Sequence, residues 1–239
     1  MIKIENNEVT GWESAIRGMR NPMNSWEKSD SEWTAKSRPG GIIVDCDSEG
    51  WEELVIGPND QKLMTKLRNA GTDHRKFMRM ITVYLDITAP LYWWKEFDTY
   101  KVGTVANSCS TMHKIADKEF TEEDFSFDHI IDEVTNSQCY TYRDTEWDAG
   151  DITDLLIGIL NHYRELYLQT KEKKYWWQMI QLLPSSYNQR RTVMLNYEVL
   201  ANIYKSRKNH KLDEWCEFCK WIESLSYSEI IIDDLKDDR

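Results

Sequence analysis

The chain has 239 residues, a formal net charge of −11, and a composition that is 41% hydrophobic and 12% aromatic. This composition can build a packed core and excludes a disordered chain. The acidic balance argues against binding to nucleic-acid backbones, and no apolar run approaches the roughly 20 residues that span a membrane. The first residues lack a basic-then-apolar signal pattern, so we expect a soluble, cytoplasmic protein.

The first 58 residues are rich in Trp, Gly, Asn and Ser and show little periodicity. A helix is indicated only around Glu13–Met19, and a short strand at residues 41–44, next to a Pro-Gly turn. Because four tryptophans punctuate this segment, we expect residues 1–55 to form a packed cover or a subunit contact.

A helix is predicted to follow, with Asp60 as its cap and Gly71 as its stop. The next segment alternates apolar and polar residues, which predicts a strand with one buried face. Its apolar positions are Ile81, Val83, Leu85 and Ile87. Ala89-Pro90 ends this strand, and Pro90 suits the first turn of a helix over Leu91–Phe97. Residues 102–110 precede the next predicted helix and contain no charged residue. This absence of charge predicts a buried strand and loop.

The second half of the chain is strongly helical in pattern. Residues 121–135 predict one or two short helices, and from Asp151 apolar residues recur at spacings of three and four. Further helices are predicted to end at Pro184 and to run over about 189–205 and 212–225. We find no internal repeat and no long linker, so a single α+β domain over residues 1–239 is the economical interpretation.

The five cysteines include one close pair, Cys216-x-x-Cys219. Zinc sites normally need four ligands, and the sequence has no second pair of this kind. We therefore expect free thiols on or near a packed helix face, and no metal site.

Three stretches, in matching order, resemble the flavin-dependent thymidylate synthases. They are Asp86–Lys101 with the following Val-Gly-Thr-Val-Ala-Asn-Ser-Cys-Ser, then Leu-Leu-Pro-Ser-Ser-Tyr at 182–187, then Leu195–Arg207 with Asp213-Glu-Trp215. The resemblance covers about residues 55–227 and leaves 1–55 as a divergent N-terminal segment. It implies an α+β fold whose central sheet packs with long helices. It also implies a homotetramer that binds FAD and a nucleotide and transfers a hydride or a one-carbon unit, with NADPH as the reductant.

The resemblance carries particular residues into the candidate site. The implied flavin-binding residues are His74, Arg75, Arg79, Lys101, Asn107 and Asn196. The implied substrate-binding residues are Tyr100, Ser110, His113 and Arg207, and Arg207 is also the candidate catalytic residue. Two alternatives stay open, because residues 74–79 also fit a solvated basic edge and His113 also fits a structural hydrogen-bonding role.

The spacing of four residues on one predicted helix provides a separate check of the candidate site. Asn196, Leu200, Ile203 and Arg207 are separated by four, three and four positions, which places them on one stripe. This stripe fits a pocket wall, and it also fits an amphipathic helix whose polar ends face solvent.

The sequence departs from the family at cationic positions. Thr99-Tyr100-Lys101 stands where the family has Arg-His-Arg, and Met112 and Ile180 each replace an arginine. Because a buried phosphate without such partners is costly, the lost cations argue against deoxyuridylate, and the sequence predicts a nucleotide or a related ring ligand as the substrate. The alternative is a non-catalytic protein on the same fold that senses or sequesters a nucleotide.

Overall fold

The computed structural model describes residues 2–35, 52–131 and 139–232. The strands in these ranges are β1 (Lys3–Thr10), β2 (Glu32–Ala35), β3 (Glu52–Val55), β4 (Thr82–Pro90), β5 (Val105–Ser108), β6 (Tyr140–Tyr142), β7 (Thr145–Trp147) and β8 (Asn188–Asn196). The helices are α1 (Trp12–Arg20), α2 (Pro58–Arg68), α3 (Leu91–Phe97), α4 (Thr111–Lys114), α5 (Ala149–Thr170), α6 (Lys173–Leu182), α7 (Tyr197–Arg207), α8 (Asp213–Glu223) and α9 (Glu229–Ile232). Short 3-10 segments lie at Asn21–Met23, Trp26–Lys28, Arg75–Met80 and Glu122–Asp124.

The strands form one larger sheet and two small ones. The larger sheet has four strands in the order β1-β4-β8-β5, and β2–β3 and β6–β7 are antiparallel pairs. The chain divides into two compact units, one of residues 1–6, 85–100 and 106–193, and one of residues 7–84, 101–105 and 194–239. None of the described helices combines the length and apolarity that crossing a bilayer requires.

The strand β4 confirms the alternation predicted from the sequence. Its apolar positions are no more than 1% exposed: Ile81 just before it, then Val83, Leu85 and Ile87. Pro90 is the last residue of β4 and the N-cap of α3. Because proline lacks an amide hydrogen, it suits the point where a strand ladder stops and a helix begins.

The first unit, which contains α5 and α6, is built on an aromatic and aliphatic core. The helix α5 begins at Asp148, whose side chain accepts from the Asp151 amide while the Asp151 side chain accepts from the Asp148 amide. This reciprocal cap supports a 22-residue helix that packs against α6. The buried core residues beside them are Ile115, Ala116, Phe120, Phe125, Leu160 and Met179.

Asp86 organises the exposed side of the same unit. Its carboxylate accepts hydrogen bonds from the Thr192 hydroxyl, from Asn6 Nδ2 at 2.9 Å and from Arg190 Nη2 at 2.8 Å. These donors, led by Thr192, hold the pKa of Asp86 well below its usual range. Asn6 has a φ of 51°, so the Asp86 contact holds a strained residue in place on β1.

The second unit contains a buried ion pair that the sequence analysis missed. Asp60 was predicted to cap α2, but Gly57 is the N-cap and Pro58 the first helical residue. Asp60 lies inside the unit, fully buried, and its Oδ1 is 2.7 Å from Arg20 Nε. The glycine-proline start leaves Asp60 free for this pairing, because Pro58 occupies the position that needs no amide donor.

The C-terminal part of the second unit is tied to its N-terminal part by polar contacts. Arg68, also buried, donates from Nε to the Ile230 carbonyl at 2.8 Å. The Tyr227 hydroxyl accepts from the Ile56 amide at 2.9 Å and donates to the Leu54 carbonyl at 3.1 Å. The Trp12 ring meets the Tyr227 ring edge-on at 5.2 Å between centroids, so Tyr227, just before α9, contacts both α1 and β3.

Two predicted elements in the second half of the chain are wrong. The helix predicted over about 189–205 is β8 for its first half and α7 only from Tyr197. Val193 and Leu195 are buried and alternate with more exposed neighbours, which is the pattern of a strand. The helices predicted at 121–135 reduce to a 3-10 turn at Glu122–Asp124 in the described part of that range.

Residues 102–110 are exposed rather than buried. They include β5, whose four residues are all exposed, and Val102 is 89% exposed. β5 is the edge strand of the larger sheet, which explains why an uncharged segment can face outward. The strand predicted at 41–44 lies outside the described residues, while the helix predicted around Glu13–Met19 is confirmed as α1.

The cysteine pair lies on α8. Cys219 is buried, and burial raises the pKa of its thiol to about 12. Cys216 donates to the His210 carbonyl at 3.4 Å. Both are free thiols, as the sequence predicted.

Candidate functional site

The predicted site residues are divided between the two units. One unit contains His74, Arg75, Arg79, Lys101, Asn196 and Arg207. The other contains Tyr100, Asn107, Ser110 and His113. Each set has its own local geometry.

Asn196 is the N-cap of α7 and is 8% exposed. Its Oδ1 accepts from the Val199 amide at 3.1 Å, and its Nδ2 lies 3.4 Å from the Gly103 carbonyl oxygen. Gly103 has a φ of +77°, and a Cβ there would come within 2.6 Å of Asn196 Nδ2. Asn196 therefore joins the start of α7 to the loop that carries Lys101, whose own side chain is exposed.

The basic cluster before β4 meets a carboxylate in the first turn of α7. Arg79 donates to Glu198 from Nε and from Nη2, the latter at 3.2 Å, and Arg75 Nε is 3.5 Å from Glu198 Oε1. The hydrogen bond to Glu198 raises the pKa of Arg79. Sequence reasoning missed Glu198, because 119 positions separate it from Arg79 and nothing local links them. His74 is exposed at the N-cap of the 3-10 segment.

Arg75 retains unsatisfied donors despite this carboxylate. Its Nη2 donates to Thr72 Oγ1 at 2.9 Å, but Nε and Nη1 are buried and make no hydrogen bond to any described residue. Leaving a buried donor unpaired costs on the order of 1–3 kcal/mol, and more for a charged group. A guanidinium edge of this kind matches the oxygens of a phosphate, so the residues present fit an anionic group such as a flavin phosphate.

Arg207 lies near the other end of α7, about 16 Å from Asn196 by the rise of an α-helix. Its guanidinium lies over the Trp215 ring at 4.8 Å, and its Nη1 is 2.9 Å from His210 Nε2. Leu200 and Ile203, predicted on the same stripe, are fully buried. The apolar members of the stripe thus pack into the core, and Arg207 is held against an aromatic face.

In the other unit, Ser110 and His113 meet around α4. The Ser110 hydroxyl caps α4 by accepting from the His113 amide at 3.2 Å. Asn107, Ser110 and His113 are exposed, and Tyr100 is half-buried. Asn107 lies on β5, so the three exposed residues follow one another along an edge strand and the short helix after it.

Two cavities flank α4 within this unit. One, of about 340 Å³, is lined in part by Ser110, Lys114 and Arg190, and the other, of about 530 Å³, by His113 and Lys171. In the first cavity the cations are already paired. Lys114 Nζ is 2.8 Å from Asp117, and Arg190 binds Asp86. In the second, Lys171 faces the Tyr167 ring at 5.6 Å, which leaves its ammonium accessible to an anion.

No protein-family model matches this chain, and neither does any curated protein. Solved structures do match it. Thymidylate synthase X (ThyX) from Helicobacter pylori with FAD and dUMP is 15% identical, with a TM-score of 0.61 over 97% of this chain and 97% of that chain. A second ThyX structure from Helicobacter pylori, also complexed with FAD and dUMP, is 16% identical, with a TM-score of 0.61 over 98% of this chain and 100% of that chain.

A third similar structure has a different description. The UMP/dUMP methylase PolB from Streptomyces cacaoi, bound with 5-Br dUMP, is 11% identical, with a TM-score of 0.54 over 94% of this chain and 89% of that chain. At these identities the likeness concerns the fold. The predicted fold class is confirmed: the chain has the α+β fold of the flavin-dependent thymidylate synthases.

Proposed function

We propose that this chain is a divergent member of the flavin-dependent thymidylate synthase family that binds FAD and a nucleotide or related ring ligand. The observation that carries the proposal is the guanidinium of Arg75, whose buried Nε and Nη1 make no hydrogen bond to any described residue. The likeness in fold, over nearly the whole chain, supports the same proposal. A phosphate bound to the Arg75 guanidinium would accept the hydrogen bonds from Nε and Nη1 that no described residue accepts.

The flavin-binding residues in this proposal are those of the basic cluster and the loop beside α7. Arg75 and Arg79 attract the cofactor's phosphates, and Glu198 holds both guanidinium groups in place. His74, Lys101, Asn107 and Asn196 complete the proposed set. When bound, a flavin supplies hydride chemistry, which NADPH would replenish as reductant.

The substrate side of the proposal uses Tyr100, Ser110, His113 and Arg207. Arg207 is the proposed catalytic residue, because a guanidinium fixed over an aromatic ring can hold one orientation toward a pyrimidine ring. Lys101 provides a point charge but cannot reproduce the bidentate hold of an arginine on a phosphate. The proposed substrate is therefore a nucleotide whose ring makes stronger contacts with the protein than its phosphate does. The alternative is a ring ligand that carries less negative charge.

The proposed assembly is a homotetramer of soluble, cytoplasmic protein. The helices α5 and α6 expose large apolar side chains, which a subunit contact would cover. These residues are Ile152, Leu155, Leu168, Trp177 and Leu182.

A second candidate is a non-catalytic protein that senses or sequesters a nucleotide. One observation favours it, since Glu198 already pairs with Arg79 and neutralises part of the charge that a flavin phosphate would meet. Both candidates share the fold, so the site must decide between them.

The visible absorption of the purified protein separates the two candidates. One FAD per subunit, bound after purification or after addition of FAD, supports the flavoenzyme. A colourless protein that also refuses added FAD, but is stabilised against heat by a nucleotide, supports the binding protein. A protein that binds neither FAD nor any pyrimidine nucleotide contradicts both.

A further inference from the structure

The N-terminal part of the second unit contains a cavity that the proposed function does not use. It has a volume of about 300 Å³, at the lower end of the range of small-molecule sites. Its lining includes Glu13 and Arg17 from α1, Trp26 from the 3-10 turn and Trp33 from β2. None of these residues belongs to the proposed flavin or nucleotide site.

Two tryptophan side chains line this cavity while remaining half in solvent. Trp26 is 49% exposed and Trp33 is 50% exposed. Their indole nitrogens are not available to a ligand, because Trp26 Nε1 donates to Asn21 Oδ1 at 2.8 Å and Trp33 Nε1 donates to the Glu13 carboxylate. What each ring presents is its apolar face, which is the surface on which a flat ring stacks.

The frame under the tryptophans is rigid. Arg20, buried below the cavity, donates to the Ser25 carbonyl at 3.1 Å and to the Lys28 carbonyl at 2.9 Å. These bonds fix the turn that carries Trp26. Asp60 accepts from the hydroxyls of Ser29 and Ser31, each at 2.7 Å. A site whose walls are held by buried bonds loses little conformational entropy on binding.

Arg17 supplies a charge that no residue in the described part of the chain pairs. Glu13 lies one helical turn before it, at the spacing where an ion pair usually forms, but the Glu13 carboxylate accepts from Trp33 instead. Arg17 is exposed and makes no ion pair or hydrogen bond among the described residues. A guanidinium that pairs with none of the described residues, next to two indole rings, attracts an anion locally although the protein has a net charge of −11.

We propose that this cavity is a second ligand site, which binds a planar aromatic ring carrying a carboxylate or a phosphate. The ring stacks on Trp26 and Trp33, and the acidic group binds Arg17. The proposal is independent of flavin or nucleotide binding elsewhere in the chain, so either can fail without the other.

Calorimetric titration of the full chain with three naphthalene probes tests the site. The probes are 2-naphthoate, 2-naphthyl phosphate and the uncharged 2-naphthamide. We expect at least one anion to bind with one site per chain and about tenfold or more tighter than the amide. The relative affinities of the carboxylate and the phosphate identify which acidic group the site prefers.

Variants of the lining residues assign the binding to this cavity. Arg17→Gln should weaken the preferred anion about tenfold or more and leave the amide unchanged. Trp26→Ala and Trp33→Ala should each weaken all probes about fivefold or more. Arg143→Gln and Tyr140→Ala change exposed residues outside the cavity, and both variants should bind the probes as the parent does.

Three results overturn the proposal: no anionic probe binds, the amide binds as tightly as the anions, or Arg17→Gln binds the anions with unchanged affinity. Arg17→Gln changes an exposed side chain that makes no ion pair or hydrogen bond to a described residue, so we expect this variant to fold even if a tryptophan variant unfolds.

Discussion

Arg20 and Asp60 form a salt bridge, with Nε 2.7 Å from Oδ1, in which the two side chains are 4% and 0% exposed. The pair joins α1 to α2, and the same carboxylate holds the turn at Ser29 and Ser31. One buried carboxylate on α2 thus contacts both α1 and the segment at residues 29–31.

Removing that carboxylate should be strongly destabilising. Asp60→Ala leaves the Arg20 charge buried and unpaired, so we expect the free energy of unfolding to fall by about 3–5 kcal/mol. Urea denaturation measures the change. Lys174→Gln, in an exposed pair with Glu172, is the control and should leave the free energy of unfolding nearly unchanged. If Asp60→Ala were as stable as the parent, the buried pair would contribute little.

Acid should remove the same contribution. Burial raises the pKa of Asp60, but hydrogen bonds from Ser31, Ser29 and Arg20 together outweigh it and leave the pKa below 3.8. Because the folded pKa is depressed, the stabilisation is complete above about pH 4 and is lost as the pH falls through the folded value. Unfolding free energies between about pH 5 and about pH 3 should therefore fall less steeply in Asp60→Asn than in the parent. Parallel slopes would contradict this assignment.

Two substitutions of Asn196 distinguish its role as the N-cap of α7 from its proposed role in FAD binding. Asn196→Ala removes the acceptor for the Val199 amide and should lower the unfolding free energy by about 1 kcal/mol. Asn196→Asp keeps a capping oxygen and should stay close to the parent in stability. It loses the amide donor near Gly103 and adds a negative charge, so its FAD affinity should fall in a fluorescence titration. An Asp variant that binds FAD as the parent does would remove Asn196 from the flavin site.

Arg75 is the sharpest test of flavin binding. Arg75→Gln removes the guanidinium whose buried donors are open, and FAD affinity should fall by about tenfold or more. The protein without FAD should lose little stability, because the substitution removes, together with the positive charge, two buried donors that make no hydrogen bond to a described residue. Lys76→Gln, on the exposed neighbour, is the matched control for a lost positive charge. Equal FAD affinity in the two variants would rule against the Arg75 assignment.

The exposed apolar residues of α5 predict how the protein assembles. Leu155→Asp places a charge on a side chain that is 47% exposed, so the fold should be kept while the proposed homotetramer dissociates. Light scattering coupled to size exclusion reports the mass of the assembly. Glu165→Gln, an exposed polar position on the same helix, should remain a tetramer. A monomeric parent would refute the proposed assembly directly.

Elements with a strong local pattern could be predicted from the sequence. The strand around Val83 and the helix at Leu91–Phe97 follow from strict alternation and from a proline at their junction. The segment before Tyr197 could not, because Val-Met-Leu at 193–195 is a short continuous apolar run that fits either a buried strand or a buried helix. This segment is a strand because its side chains are buried in the sheet, and that burial depends on strands that are distant in the sequence.

The candidate site was predictable by residue type but not by environment. The basic cluster at residues 74–79 was visible in the sequence, but its partner Glu198 was not. The roles of Arg20 and Asp60 were also hidden, since 40 positions separate them. The N-terminal tryptophans suggested a cover or a contact, but only the folded turn shows that Trp26 and Trp33 line one cavity.

Gly103 lies so close to the Asn196 side-chain amide that the conformation of its loop is coupled to the start of α7. Any side chain at position 103 must either push Asn196 off the first turn of α7 or twist the loop away from it. Fraying at the start of α7 would then displace Glu198, two residues along, and loosen its grip on Arg79. Gly103→Ala would thus disturb the contact between Glu198 and Arg79 without changing any charged residue.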